Sequence, residues 1–245
     1  MITFGIITKL NSEKDKEPLE KLISSIKREN IPDSEIIVVG NYENNEIKCI
    51  NFCETNISYI TKKQNLIIDN AKNDILVFLR DYHILWENWW KGLLKFGNDW
   101  NVLMNPILNQ DNTRFRDVCI WDKPGVGNVW VQREPWCKEG RVTMGGPHLP
   151  PYSNLEPEYC YINGGYFIAR KWFMGRHRWN EELQWGEAED VDLSLRMRWD
   201  KDFKYRFNPY CIVQCQKQKE RILPVIPNEY FGSYEYCTEK YFAKR

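Results

Sequence analysis

Apolar positions in the first ninety or so residues fall into two kinds of run. Ile2 to Ile7, Glu35-Ile36-Ile37-Val38-Val39-Gly40 and Asp74-Ile75-Leu76-Val77-Phe78-Leu79 are short and nearly unbroken, the pattern of strands buried on both faces of a parallel sheet. Between them the spacing becomes helical. Pro18, Leu19, Leu22, Ile23 and Ile26 recur at helical intervals with the proline near the first turn, and Pro32-Asp33 closes the segment. Thr61 is placed to cap a second helix with Leu66, Ile67 and Ala71 on its inner side. Strands alternating with helices predict right-handed crossovers and a parallel sheet. Such sheets bind ligands at the carboxyl ends of their strands, which gathers Thr8, Gly40-Asn41 and Arg80-Asp81-Tyr82-His83 around one crevice.

From about Asp99 the periodicity fades. Residues 105 to 160 are rich in Pro, Gly, Trp and Asn and predict loops and short strands. The stretch from Asp190 to Asp200 pulls two ways. Polar and apolar residues alternate without a break, as in a strand, yet Leu, Met and Arg favour helix and Val191 is its one β-branched residue. There is no internal repeat and no linker-like run. The expectation is therefore one domain over residues 1–245, with functional halves at 1–98 and 99–245.

Composition narrows the function. Lys and Arg number 34 and Asp and Glu 34, so the basic excess of a dedicated nucleic-acid binder is missing. No apolar run approaches the ~18–20 residues of a membrane span, and the amino terminus has no signal-like basic region. A cytoplasmic protein is expected, with peripheral contact at a membrane left open and no oligomeric state implied. Cys49/Cys53 and Cys211/Cys215 share a C-x3-C spacing, but in extended chain i and i+4 simply face one side, so buried thiols are expected ahead of zinc.

Three constellations carry chemistry. Asp81-Tyr82-His83 leaves a core strand, and its carboxylate and imidazole can turn toward one divalent ion, Mn²⁺ ahead of Ca²⁺ for a mixed N/O set; capping by Asp81 and packing by His83 is the equal alternative. Trp185-Gly186-Glu187-Ala188-Glu189-Asp190-Val191-Asp192 holds four acids in six residues. Clustered acids raise one another's pKa, and one can act as a base toward a hydroxyl; an acidic helix start would look the same. Asn163-Gly164-Gly165 lies in an aromatic strand, where paired glycines admit a ligand or a second backbone.

In this order and spacing, from Ile2 to Val213, the three pieces resemble the GT-A glycosyltransferases, especially the family-2-like group, with Asn163 to Arg196 the most specific part. The resemblance implies an α/β fold: a Rossmann-like, mostly parallel central sheet flanked by helices, with a loop-rich acceptor half. It implies a nucleotide-sugar donor, UDP-sugars being the commonest, and a carbohydrate acceptor. Thr8 and Asn41 would lie near the nucleoside, Lys63 and Asn65 at a helix start approaching the donor, and Asp81 at the diphosphate. The usual Asp-x-Asp here ends in His83, so either Asp81 and His83 bind Mn²⁺ (or Mg²⁺) or Arg80 supplies positive charge directly. The late His that often completes the metal set has no counterpart; Gln214 and Cys215 stand near it. Asp190 matches the catalytic base, with Glu189 beside it, and Trp185, Glu187, Gly164 and Gly165 would meet the acceptor. Inversion is implied by a single base.

The 11 tryptophans have a matching use on sugar C–H faces. Trp86, Trp89 and Trp90, set among Leu93 and Leu94, read as helical core; Trp121, Trp130 and Trp136 are the better sugar candidates. His148, in a Gly/Pro loop, is a candidate for reaching acceptor or metal, and Arg176-His177-Arg178 reads as a basic surface patch. Two rivals remain: a glycan-binding module without turnover, and a nucleotidyltransferase, whose basic glycine-rich loop is missing after Ile7.

Overall fold

The computed structural model describes residues 1–10, 12, 15–52, 59–115, 160–187 and 189–217, and the backbone of 119–120, 129–132 and 142–145. The chain opens with β1 (Ile2–Ile7), α1 (Lys16–Arg28), β2 (Glu35–Gly40), β3 (Lys48–Asn51), α2 (Ile60–Asn70), β4 (Ile75–Arg80), β5 (His83–Leu85) and α3 (Trp89–Phe96). Short strands follow: β6 (Val102–Met104), β7 (Ile107–Leu108), β8 (Cys119–Ile120), β9 (Val129–Gln132), β10 (Val142–Gly145) and β11 (Cys160–Tyr161). The last elements are β12 (Phe167–Arg170), α4 (Lys171–Arg176), α5 (Glu189–Arg198), β13 (Tyr205–Phe207) and β14 (Val213–Cys215).

Seven strands form the central sheet in the order β13-β6-β12-β4-β1-β2-β3. It is mostly parallel. β12 runs antiparallel between β4 and β6, so a strand from the second half of the chain is inserted beside the first half. Both faces are covered, which is why the first strands are continuously apolar. Ile2, Phe4 and Ile6 of β1 join α1 and Trp89 in one core, while Ile7 of β1 and Ile37 and Val39 of β2 join α2, α4 and α5 in the other. A second sheet, β5-β14-β7, sits beside the carboxyl end of β4, its middle strand antiparallel to β5 and parallel to β7.

Three details differ from the sequence expectations. The third strand begins one residue later, at Ile75. Thr61 lies inside α2 rather than capping it, because its hydroxyl reaches across to donate to the Leu183 carbonyl at 2.8 Å. Trp86 precedes α3, and Leu94 is exposed, whereas Trp89 is buried with its indole N–H donating to the Tyr166 hydroxyl at 2.8 Å. The stretch around Asp190 is helical despite its alternation. Its polar side chains are satisfied along the helix: Ser194 donates to the Asp190 carbonyl at 2.6 Å and Arg196 pairs with Asp192 at 2.8 Å.

Candidate active site

A cavity of about 850 Å³ opens where the carboxyl ends of β1 and β4 meet the Asn163-Gly164-Gly165 turn and the start of α5. Both strands stop there: Thr8 and Lys9 follow β1, and Arg80 and Asp81 end β4. On this side the Thr8 hydroxyl donates to Asp81 Oδ2 at 2.6 Å, and Lys63 Nζ donates to the Thr8 carbonyl at 2.5 Å. Burial raises the Asp81 carboxyl above its usual range, against the Thr8 hydrogen bond and the positive charges of Arg80 and Lys217.

Across the cavity stand Glu189, Asp190 and Trp185. Asp190 Oδ2 accepts from the Gly164 N–H at 3.3 Å and Oδ1 from the Val191 N–H at 2.9 Å. Gly164 is a glycine because α5 comes so close: a Cβ there would lie 3.3 Å from that of Asp190. Glu189 Oε2 accepts from the Gly186 N–H at 3.2 Å, and Gly186 takes φ +85°, a left-handed turn that leads into the helix. Burial pushes both carboxyls up, Glu189 to about 7 with the Asp190 charge adding to the effect. At both carboxyls backbone N–H donors and the charge of Arg80 oppose that rise. The two carboxyls therefore titrate as a pair rather than independently. Trp185 is 70% exposed and presents an open ring at the mouth.

The polar face of α2 ties these two sides together. Gln64 donates to the Gly164 carbonyl at 3.0 Å, while Asn65 donates to the Trp179 carbonyl and accepts from the Trp179 N–H, each at 3.0 Å. With Thr61 on Leu183, one helix thus holds the Gly164 turn and two points of the segment leading to α5.

Thr8, Lys63, Arg80, Asp81, Gly164, Gly165, Trp185, Glu189 and Asp190 therefore line one cavity. Four expected residues do not. Asn41 is bonded to Leu10, its Oδ1 accepting from the Leu10 N–H at 2.9 Å and its amide donating to the Leu10 carbonyl. Asn65 serves the clamp just described. Glu187 accepts from the Gln184 N–H at 2.6 Å in an exposed turn. His83 is 1% exposed, in β5, and its Nδ1 accepts from the Arg80 N–H at 3.3 Å. Residues 81 and 83 would share a side only in extended chain, and the turn at Asp81-Tyr82 breaks that parity. His148, Trp121, Trp136 and Cys53 lie outside the described residues, as does the Trp130 side chain. Arg176, His177 and Arg178 are each paired, with Asp200 and Asp202, Asp200, and Asp69, so the expected basic patch is compensated. The Cys211 thiol donates to the Trp89 carbonyl at 3.6 Å, and burial holds its pKa well above the ordinary value.

Sequence reasoning missed Lys9 and Lys217, both on the cavity wall, and placed Tyr82 at the same crevice without a role. Lys9 directly follows Thr8 and was within reach of the strand-end rule. Lys217 was not, because its place follows from a strand pairing. Burial lifts the Tyr82 hydroxyl to about 12, so it stays protonated.

A divalent ion finds one suitable carboxylate here, Asp81. No group of three or more His, Cys, Asp or Glu is arranged for a metal among the described residues, but cations that bind nucleotides often take only one or two carboxylates and complete their shell with phosphate and water oxygens. Asp81 fits that use; His83, turned into the core, does not.

No protein-family model and no curated protein sequence matches the chain. Solved structures do. GalNAc-T7 with UDP, GalNAc and Mn²⁺ superposes with a TM-score of 0.57 at 15% identity, over 90% of this chain and 45% of that one. The fold is GT-A. TarS of S. aureus, a second GT-A glycosyltransferase, aligns at TM-score 0.50 and 15% identity over 96% of this chain and 38% of its own. Its 1–349 fragment aligns at TM-score 0.47 and 14% identity, over 89% and 58%. The chain thus spans roughly two fifths to three fifths of these structures. On this GT-A frame the cavity lies at the carboxyl ends of the parallel strands, where open α/β sheets bind ligands. Among the described residues no helix is long and apolar enough to cross a membrane.

Proposed function

We propose that the chain is a glycosyltransferase that moves a sugar from a nucleoside-diphosphate sugar, UDP-linked by preference, to a hydroxyl of a carbohydrate acceptor. One observation carries this reading: a single cavity has cations and Asp81 on one wall and a buried carboxylate pair on the other. The first wall suits a diphosphate and the second a hydroxyl to be deprotonated. Both GT-A neighbours are glycosyltransferases, and GalNAc-T7 was crystallised with UDP, GalNAc and Mn²⁺.

Asp190 takes the proton of the acceptor hydroxyl as that oxygen bonds to the anomeric carbon. The bond from that carbon to the diphosphate breaks, and its electron pair leaves with the nucleoside diphosphate. Arg80, within electrostatic reach of Asp81, Glu189 and Asp190, stands between the two walls and stabilises the growing charge. Glu189, its carboxyl lifted to about 7, donates toward the acceptor in its protonated form, while the Trp185 ring covers a sugar face. A divalent ion, Mn²⁺ ahead of Mg²⁺, would be held by Asp81 and would add Lewis-acid stabilisation of the leaving diphosphate. Attack from the base side inverts the anomeric centre.

Calorimetric titration with UDP, GDP, dTDP and CMP, with and without Mn²⁺, tests the donor class. Tight binding of one nucleoside diphosphate supports the reading. Binding of none removes it and favours a glycan-binding module on the same fold.

A further inference from the structure

β14 is antiparallel to β5 in a register that pairs Val213 with Leu85, Gln214 with Ile84 and Cys215 with His83. Carried two residues further, the same register sets Lys217 opposite Asp81. The continuation is real at its first step, where the Gln216 N–H donates to the Tyr82 carbonyl at 2.7 Å. The Gln216 side chain then donates to the carbonyls of Pro18 at 2.6 Å and His83 at 3.3 Å. The backbone just before Lys217 is therefore pinned to the turn that carries Asp81. Lys217 itself is exposed and lines the cavity, and its charge acts on the Asp81 carboxyl.

We propose that Lys217, together with Arg80, forms a built-in cationic clamp for the diphosphate of the donor, so that nucleotide binding does not depend on a metal ion. This rests on the donor reading above. Arg80 arrives from the end of β4 and Lys217 from across the second sheet, so the two cations reach the Asp81 corner from different elements. Whether or not a divalent ion joins Asp81, two neighbouring cations favour a polyanion. An ammonium on a pinned backbone and a guanidinium on a strand end supply the charge-assisted donors that phosphate oxygens need. Arg80 also faces the carboxylate pair, which makes Lys217 the cleaner position to change. Its exposure means that replacement leaves the core intact.

Full-length wild-type protein, Lys217→Met and Lys217→Arg are titrated with UDP and with inorganic pyrophosphate, in EDTA and in Mn²⁺; pyrophosphate removes dependence on the choice of base. In EDTA the wild type is expected to bind both probes, Lys217→Met to weaken both by about tenfold or more, and Lys217→Arg to stay within about threefold. Two results overturn the clamp alone: a Lys217→Met protein that binds like wild type in EDTA, or wild-type binding that falls about a hundredfold or more when Mn²⁺ is withdrawn. If the wild type binds neither UDP nor pyrophosphate under either condition, and GDP and dTDP also fail, the donor reading falls and the clamp with it.

Discussion

Asp190 is the residue on which the proposed chemistry turns. Asp190→Asn keeps the shape of the side chain and removes the base, so turnover is expected to fall about 10²–10⁴-fold while nucleotide affinity by calorimetry stays near wild type. Retained transfer would reassign the role. Its neighbour gives a separate, pH-dependent signature. Because the folded pKa of Glu189 lies above its unfolded value, at about 7 against 4.5, the native state binds more protons than the unfolded chain between those values. Stability contributed by this group is therefore present at low pH and lost as pH rises through about 7. Thermal melts from pH 5 to 8 should show a decline that Glu189→Gln flattens. Much of this wall was legible in the sequence, since an acid cluster after Trp-Gly and paired glycines are local signals. Gly164-Gly165 form a turn rather than the expected strand, however, and Glu187 does not line the cavity. The opposite wall was legible only where it follows a strand end. His83 was misread because two intervening backbone angles decide its direction, and spacing does not contain them.

Strands β1 and β2 occupy the residues that their apolar runs indicate, Ile2–Ile7 and Glu35–Gly40, because burial on both faces leaves an unbroken signature. Helix α2 was legible as a helix but not as a scaffold. Its Thr61, Gln64 and Asn65 are buried polar residues whose partners lie 100 or more positions away, at Leu183, Gly164 and Trp179. No local pattern encodes such pairings. Asn65→Ala would strand both the N–H and the carbonyl of Trp179, costing about 2 kcal/mol and roughly 4–8 °C of Tm by calorimetry. Since that segment leads into α5, kcat should fall further than nucleotide affinity. Gly164→Ala attacks the same packing from the facing turn. With only 3.3 Å to the Asp190 Cβ, it should displace the base and lower kcat by about tenfold or more with little change in KM for the donor.

Across the molecule the charges cancel, 34 against 34. The cavity is lined by Lys9, Lys63, Arg80 and Lys217 together with Asp15, Asp81, Glu189 and Asp190, so any attraction for a polyanion depends on how these charges are placed. Local potential, not net charge, governs the approach of a polyanion. Affinity for UDP should therefore fall steadily with added NaCl, whereas affinity for uridine should not; parallel curves would argue against a charge-led site. The insertion of β12 between β4 and β6 has a different consequence, one in time. As the chain leaves the ribosome, β4 is complete at residue 80, but the strand that covers its outer edge ends at residue 170. At about 5–20 residues per second, that edge stays bare for roughly 5–20 s. A nascent protein with an apolar, unpaired strand for so long is a natural client of chaperones, and its yield should depend on how fast it is made.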